Sequence, residues 1–289
     1  MEFYHLRSFV VVAETKNLTQ AAKRLCSTPP AISAHIKTLE QELETELFTR
    51  STKGMTLTEK GQLLLIKAQK TLDSAVDMVN LAADNQDELI GQFSLGLNQS
   101  VQALQCSTLI GNLTENCPGI SLQLQQSSTG KIIKGIEIGQ LDGGYIYGDV
   151  PKSCTAITIK SEKITTIAPK EFIEEEVKSQ LDLAKSPWIT MEQYCPFDKI
   201  LKQKLGANIH AKVQSADDQS RLELVKSGLG LSFLELSLAE TEQAISGIQI
   251  FPQLNFHMPL SFIVLTKRLD DPIIKAINQE INILWNISL

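Results

Sequence analysis

The residues best placed to do chemistry lie near the start of the chain. Ile32, Ile36, Leu39 and Leu43 are spaced 4, 3 and 4 apart, the stripe of a helix with one buried face. At about 100° per residue, Pro30, Ser33, Ala34, Lys37, Thr38 and Gln41 then face outward. The start of this face is small and hydrogen-bonding, which suits entry into the major groove of DNA. The competing reading is an ordinary solvated helix surface. Thr28, just before Pro29 and Pro30, has the chemistry of an N-cap. Downstream, Leu47–Arg50 and Met55–Leu57 read as two short strands around the glycine-containing hairpin Ser51-Thr52-Lys53-Gly54. A hairpin after such helices forms a wing, with Arg50 and Lys53 at the sugar-phosphate backbone. The expected DNA contacts are therefore Thr28, Pro30, Ser33, Ala34, Lys37, Thr38, Arg50 and Lys53.

Two helices must hold that reading helix. Leu6, Phe9, Val10 and Ala13 mark the first. The second spans about Leu18–Leu25, with Asn17 or Thr19 as its cap and Ala21 and Ala22 on its packing face. The whole chain carries net charge -6. Residues 1–39 nevertheless hold five basic side chains against two acidic ones, a local +3. Salt screens charges beyond roughly 8–10 Å, so phosphate attraction follows the local balance.

Composition narrows the rest. The length, 289 residues, suits two or three domains. The longest apolar runs, such as Leu260–Leu265, fit buried strands rather than membrane spans. The start, Met1-Glu2-Phe3-Tyr4-His5, lacks a signal-peptide pattern, so a cytoplasmic location is expected. Cys26, Cys106, Cys117, Cys154 and Cys195 are scattered, as are His5, His35, His210 and His257. Reduced thiols, no metal site and no cofactor are expected.

The N-terminal segments resemble the LysR-type transcriptional regulators. The resemblance lies in Leu6-Arg7-Ser8-Phe9, Leu18-Thr19-Gln20-Ala21-Ala22-Lys23-Arg24-Leu25, Pro30-Ala31-Ile32-Ser33, Leu47-Phe48-Thr49-Arg50 and Leu57-Thr58-Glu59-Lys60-Gly61. Pro29 and Ala34 depart from the family, which commonly has glutamine and often arginine there. The resemblance implies a winged helix-turn-helix over 1–60, a linker and dimerisation helix over 61–90, and an effector domain over 91–289.

From Thr58 to about Leu89 the only helix breaker is Gly61. Leu65, Leu72 and Val79 are seven apart, as are Ala68, Ala75 and Ala82, an a/d stripe over nearly three heptads. Such a helix would be roughly 45–50 Å long, more than one small domain covers, which points to a partner helix.

After Gln92, strand and helix patterns alternate, implying parallel-rich α/β layers. Gly139-Gln140-Leu141-Asp142 and Leu224-Val225-Lys226-Ser227-Gly228-Leu229-Gly230-Leu231 extend the family resemblance, which implies two periplasmic-binding-protein-like subdomains. The first would comprise about 91–161 and 267–289, the second about 162–266, with crossings near Ile159–Glu162 and Leu265–Lys267. A crevice ligand would meet residues at strand ends. These are Asn98, Gln99 and Ser100, with Ser100 starting a helix; Ser128 and Thr129; Tyr147; and, from the second subdomain, Thr190 and a loop residue, Phe197. Without Arg or Lys among them, the effector should be small and polar or weakly anionic. No nucleophile elbow, phosphate loop or zinc-protease motif is present, so no enzyme is expected. The expected partners are operator double-stranded DNA, a small-molecule effector and further copies of the chain, as a homodimer and through it a homotetramer. RNA polymerase is a further candidate, and no membrane is involved. The alternative is an architectural DNA binder with a non-sensing assembly domain.

Overall fold

Asn17 and Thr28 start two of the three helices that open the computed structural model, which describes residues 1–51, 54–82, 88–172, 180–192, 194–206, 209–215 and 217–287. The helices are α1 (Phe3–Thr15), α2 (Leu18–Arg24) and α3 (Pro29–Glu42). Asn17 accepts the Thr19 and Gln20 N–H groups, and Thr28 accepts that of Ala31. Strands β1 (Phe48–Ser51) and β2 (Gly54–Leu57) form the antiparallel wing. Leu6, Phe9, Ala21, Ala22, Ile32, Ile36, Leu39 and Leu47 share one core.

Helix α4 (Glu59–Asn80) starts on a Thr58 cap and stops earlier than its periodicity suggests. Its 22 residues span about 33 Å rather than 45–50 Å. Asn80 provides the reason. Its buried amide exchanges two 2.9 Å hydrogen bonds with the backbone of Ile90, tying the returning chain to the helix end. Leu65 and Leu72, expected to face a partner, are half-buried against their own N-terminal core. Leu63, Met78 and Val79 are the exposed large apolar side chains of α4.

The chain divides into two units, Met1–Gly91 and Gln92–Leu289. In the second, β3 (Gly91–Leu97) is followed by turns and only then by α5 (Cys106–Asn116). A helix from Ser100 was expected. Gln105 is left-handed, at φ 52°, and interrupts it. Next come β4 (Ile120–Gln126), α6 (Thr129–Ile138), β5 (Gly143–Tyr147), β6 (Cys154–Pro169), α7 (Gln180–Lys185), β7 (Trp188–Thr190) and α8 (Pro196–Leu205). The chain closes with β8 (Ala211–Gln214), α9 (Asp218–Lys226), β9 (Ser232–Glu235), α10 (Leu236–Ser246), β10 (Ile248–Leu265) and α11 (Pro272–Leu284).

The main sheet has order β4-β3-β5-β10-β6-β9 and is mixed rather than parallel-rich. β3 and β5 are parallel, but β10 runs antiparallel to both β5 and β6. The long strands β6 and β10 pass between two lobes. Leu260–Val264 pair with β5, which fixes them in the first lobe. The second crossing therefore falls near His257–Pro259, not at Leu265–Lys267. Ile164–Ile167 pair with β9 in the second lobe, where β7 and β8 are parallel. The first lobe packs around Ile132, Ile136, Ile146 and Ile263, the second around Ile167, Ile189, Leu222 and Leu234. Asp142 fastens the first lobe: it accepts the Ser94 N–H at 2.8 Å and pairs with Arg268, which also holds Asp271 at the start of α11.

Candidate functional site

On α3, Ile32, Ile36 and Leu39 are buried, while Pro30, Ala34 and Lys37 are exposed and Ser33 and Thr38 half-exposed. Thr28 is exposed and, as an acceptor from Ala31, keeps its hydroxyl proton to donate. Behind this face, Ser8 on α1 lies 2.8 Å from His35 Nδ1 on α3. Burial, and then the neighbouring His5, hold the His35 imidazole below its ordinary value. Behind the exposed Lys37, His35 is thus held toward its neutral form as a packing group.

The wing is set by a close backbone approach. The Met55 N–H donates to the Lys16 carbonyl at 3.0 Å. At Gly54, φ is +115° and a Cβ would stand 2.5 Å from that same oxygen. Glu40 on α3 accepts the N–H groups of Leu47 and Phe48, at 2.8 and 3.2 Å. The wing therefore has a fixed place relative to α1 and α3. The Arg50 backbone pairs with Met55 in the hairpin. Lys53 lies outside the described residues.

In the second unit, several expected cleft residues do meet. Tyr147, at the end of β5 in the first lobe, donates a 2.6 Å hydrogen bond to Glu235, at the end of β9 in the second. Gln99 donates to the same Tyr147 oxygen. Thr129 accepts the Tyr147 N–H at 3.1 Å. The Tyr147 and Phe197 rings are 5.0 Å apart, and Phe197 also packs on Phe233 and Phe256. Burial, and then the negative charges of Asp218 and Glu162, push the Glu235 carboxyl up to about 7. Burial and Glu235 also raise the Tyr147 phenol, which therefore keeps its proton. Gln99 is 2% exposed, and its Oε1 has no hydrogen-bond partner; neither do the buried side-chain oxygen and nitrogen of Asn98.

A cavity of about 620 Å³ opens beside this network. Thr129, Ile133, Tyr147, Tyr194, Pro196 and Lys199 are among the side chains lining it.

Other expectations change. Ser100 is exposed, and its hydroxyl accepts the Ala103 N–H at 3.2 Å, capping its own turn. Ser128 donates to Glu192 of the second lobe at 2.7 Å. Phe197 lies in the first turn of α8, not in a loop, because Pro196 opens that helix. Thr190 lines a separate recess of about 430 Å³ with Asp198, Lys202 and Gln214. The expectation of a cleft without basic side chains is corrected too: Lys199 lines the cavity, and Lys131 stands by Ser128, paired with Glu192. Glu235 and Glu192 went unread because a single acidic residue at a strand end has no spacing signature.

Helix-turn-helix, wing and two-lobed α/β unit together define a DNA-binding protein that carries a ligand-binding module. Residues 3–62 match the family model described as bacterial regulatory helix-turn-helix protein, lysR family, and residues 86–282 match the LysR substrate binding domain. The chain belongs to the LysR family of DNA-binding transcriptional regulators and is not an enzyme. It is 30% identical over 249 residues to a probable RuBisCO transcriptional regulator of Cyanidium caldarium, covering 82% of this chain and 78% of that one. It is 29% identical over 206 residues to the transcriptional regulator CzcR of Bacillus subtilis, covering 71% and 69%. A full-length OxyR variant from Pseudomonas aeruginosa has the same fold, with TM-score 0.69 and 20% identity over 98% of this chain and 95% of that one. So does full-length CbnR in complex with its target DNA, with TM-score 0.64 and 21% identity over 98% and 99%. Among the described residues, no helix is long and apolar enough to cross a membrane.

Proposed function

We propose that the protein binds operator DNA through Thr28, Pro30, Ser33, Ala34, Lys37, Thr38, Arg50 and Lys53, and that a small polar or weakly anionic effector bound between the lobes sets its activity. The observation that carries the sensing half is the unpaired buried amide chemistry of Gln99 and Asn98, beside a hydrogen-bond chain that crosses from one lobe to the other. Burying unmatched polar atoms costs about 1–3 kcal/mol each, so a ligand that satisfies them gains at this point.

The ligand would contact Gln99, Asn98, Thr129, Tyr147 and Phe197. It would alter regulation through its different affinity for open and closed lobes. A protein that binds operator DNA would act in the cytoplasm. Copies would pair through the exposed Leu63, Met78 and Val79 on α4, and pairs would join as a homotetramer able to engage RNA polymerase. The test is a thermal-shift screen of small polar metabolites on wild type and Gln99→Ala, alongside footprinting of genomic DNA. A metabolite that stabilises wild type, fails on Gln99→Ala and alters the footprint supports the reading. Stabilisation of both proteins alike by every hit would overturn the assigned cleft.

A further inference from the structure

The two lobes are also joined at the cavity rim. Glu192 follows β7 in the second lobe. Its carboxylate accepts from Ser128 at 2.7 Å and from Lys131 at 2.5 Å, both in the first lobe. Ser128 is the N-cap residue of α6 but makes no side-chain bond into its own helix; its hydroxyl reaches across instead. The positive end of the α6 dipole favours an anion at this place. Lys131 and then Ser128 hold the Glu192 carboxyl below its ordinary value, so it is ionised.

A second, steric observation concerns the same join. A Cβ at Gly130, in the first turn of α6, would lie 2.3 Å from Tyr194 Cβ and 3.2 Å from its carbonyl oxygen. Glycine at this position lets the segment carrying Tyr194 settle against the helix. Tyr194 and Gly130 both line the 620 Å³ cavity. Closure thus has a steric half at Gly130 and an ionic half at Glu192.

We propose that Glu192, Ser128 and Lys131 form a charge-gated latch that holds the lobes closed at the mouth of the cavity when no ligand is bound. This rests on the reading of the cleft as the effector site and adds its regulation: the latch sets how often the empty cleft opens. The pair is partly exposed, with side chains 28% and 61% accessible, so it is weak enough to open reversibly.

The test is hydrogen exchange on the full chain, read at the first turn of α6, where the Ile132 N–H donates to the Ser128 carbonyl. Glu192→Ala, Lys131→Met and Gly130→Ala should each raise exchange there by about three- to tenfold. Glu192→Gln keeps the shape and an acceptor but loses the charge, and should fall between wild type and Glu192→Ala. Acetate, against matched chloride, should restore protection in Glu192→Ala alone by filling the vacated carboxylate position. Wild-type exchange in Glu192→Ala and Lys131→Met, with circular dichroism confirming folded protein, overturns the latch. Failure of the metabolite screen with latch variants still loosened sinks the effector reading alone. A wild-type effector response with unchanged exchange in the variants sinks only the latch.

Discussion

The Tyr147 hydroxyl donates a 2.6 Å hydrogen bond to Glu235, linking the end of β5 in one lobe to the end of β9 in the other. Burial is the main reason Glu235 holds its proton to about 7, well above its ordinary 4.5. Gln99 adds a second donor to the same phenol oxygen. The cleft floor is therefore a nearly closed polar chain in an apolar surround of Phe197, Phe233 and Phe256.

That carboxyl makes stability depend on pH. Between about 4.5 and 7 the folded state binds a proton that the unfolded state has released. Its contribution is fully present below 4.5 and is lost as pH rises through about 7, with an upper size on the order of 3 kcal/mol. Glu235→Gln, which mimics the protonated acid, should flatten this part of the profile. Urea unfolding of both proteins from about pH 5 to 8 measures it. A wild-type midpoint that rises over this range would contradict the assignment.

Ser100 and Gln99 should separate cleanly. Because Ser100 caps its own turn, Ser100→Ala should cost about 0.5–1 kcal/mol of stability and leave effector affinity unchanged. Gln99→Ala should leave operator binding intact and weaken the effector by about 1–3 kcal/mol, or roughly 5- to 150-fold. Calorimetry with a ligand from the metabolite screen decides between them. A larger affinity loss in Ser100→Ala would return the site to the first turn after β3.

Much of the N-terminal fold was legible because its signals are local. Asn17, Thr28 and the buried Ile32, Ile36 and Leu39 of α3 each act within a turn or two of chain; the expected fourth member of that stripe, Leu43, is instead the exposed C-cap of the helix. The end of α4 was not, because Asn80 stops the helix by bonding to Ile90, ten residues on. The lobe crossing was missed for a similar reason: Leu260–Val264 read as a separate strand, and only pairing with β5 shows that β10 runs on through both lobes. At the cleft, Gln99, Thr129 and Tyr147 were read from the rule that ligands sit at strand ends, whereas Phe197, read as a loop residue, lies in the first turn of α8. Glu235 and Glu192 depend on partners 88 and 64 residues away, which no local pattern encodes.

Assembly can be tested on two faces of α4. Met78 is 71% exposed, whereas Leu72 packs on its own domain. If copies pair through this exposed face, Met78→Asp should sediment as a smaller species than wild type while staying folded. Leu72→Asp should instead lower thermal stability, since it places a charge against the domain core. Should Met78→Asp sediment as wild type at low concentration, the pairing face lies elsewhere.

The wing offers a sharper test of DNA recognition than any single side chain. Gly54 sits at φ +115°, and its Cα faces the Lys16 carbonyl so closely that an added Cβ would stand 2.5 Å from that oxygen. Gly54→Ala therefore incurs backbone strain and a steric clash together, of order 1–3 kcal/mol. The relief available is to lift β1 and β2 away from the α1–α2 turn, breaking the Met55–Lys16 hydrogen bond. The α3 face, fixed separately by its own core stripe, should stay in place. If the wing grips the sugar-phosphate backbone and α3 reads the bases, Gly54→Ala should weaken specific and random DNA alike. The salt slope should then fall by about one unit for each phosphate that the wing no longer neutralises. Ser33→Ala should instead lose more on the operator than on random DNA. Anisotropy titrations over a range of salt concentrations, with both DNAs, measure these differences. A Gly54→Ala protein that keeps its random-DNA affinity and salt slope would remove the wing from the interface.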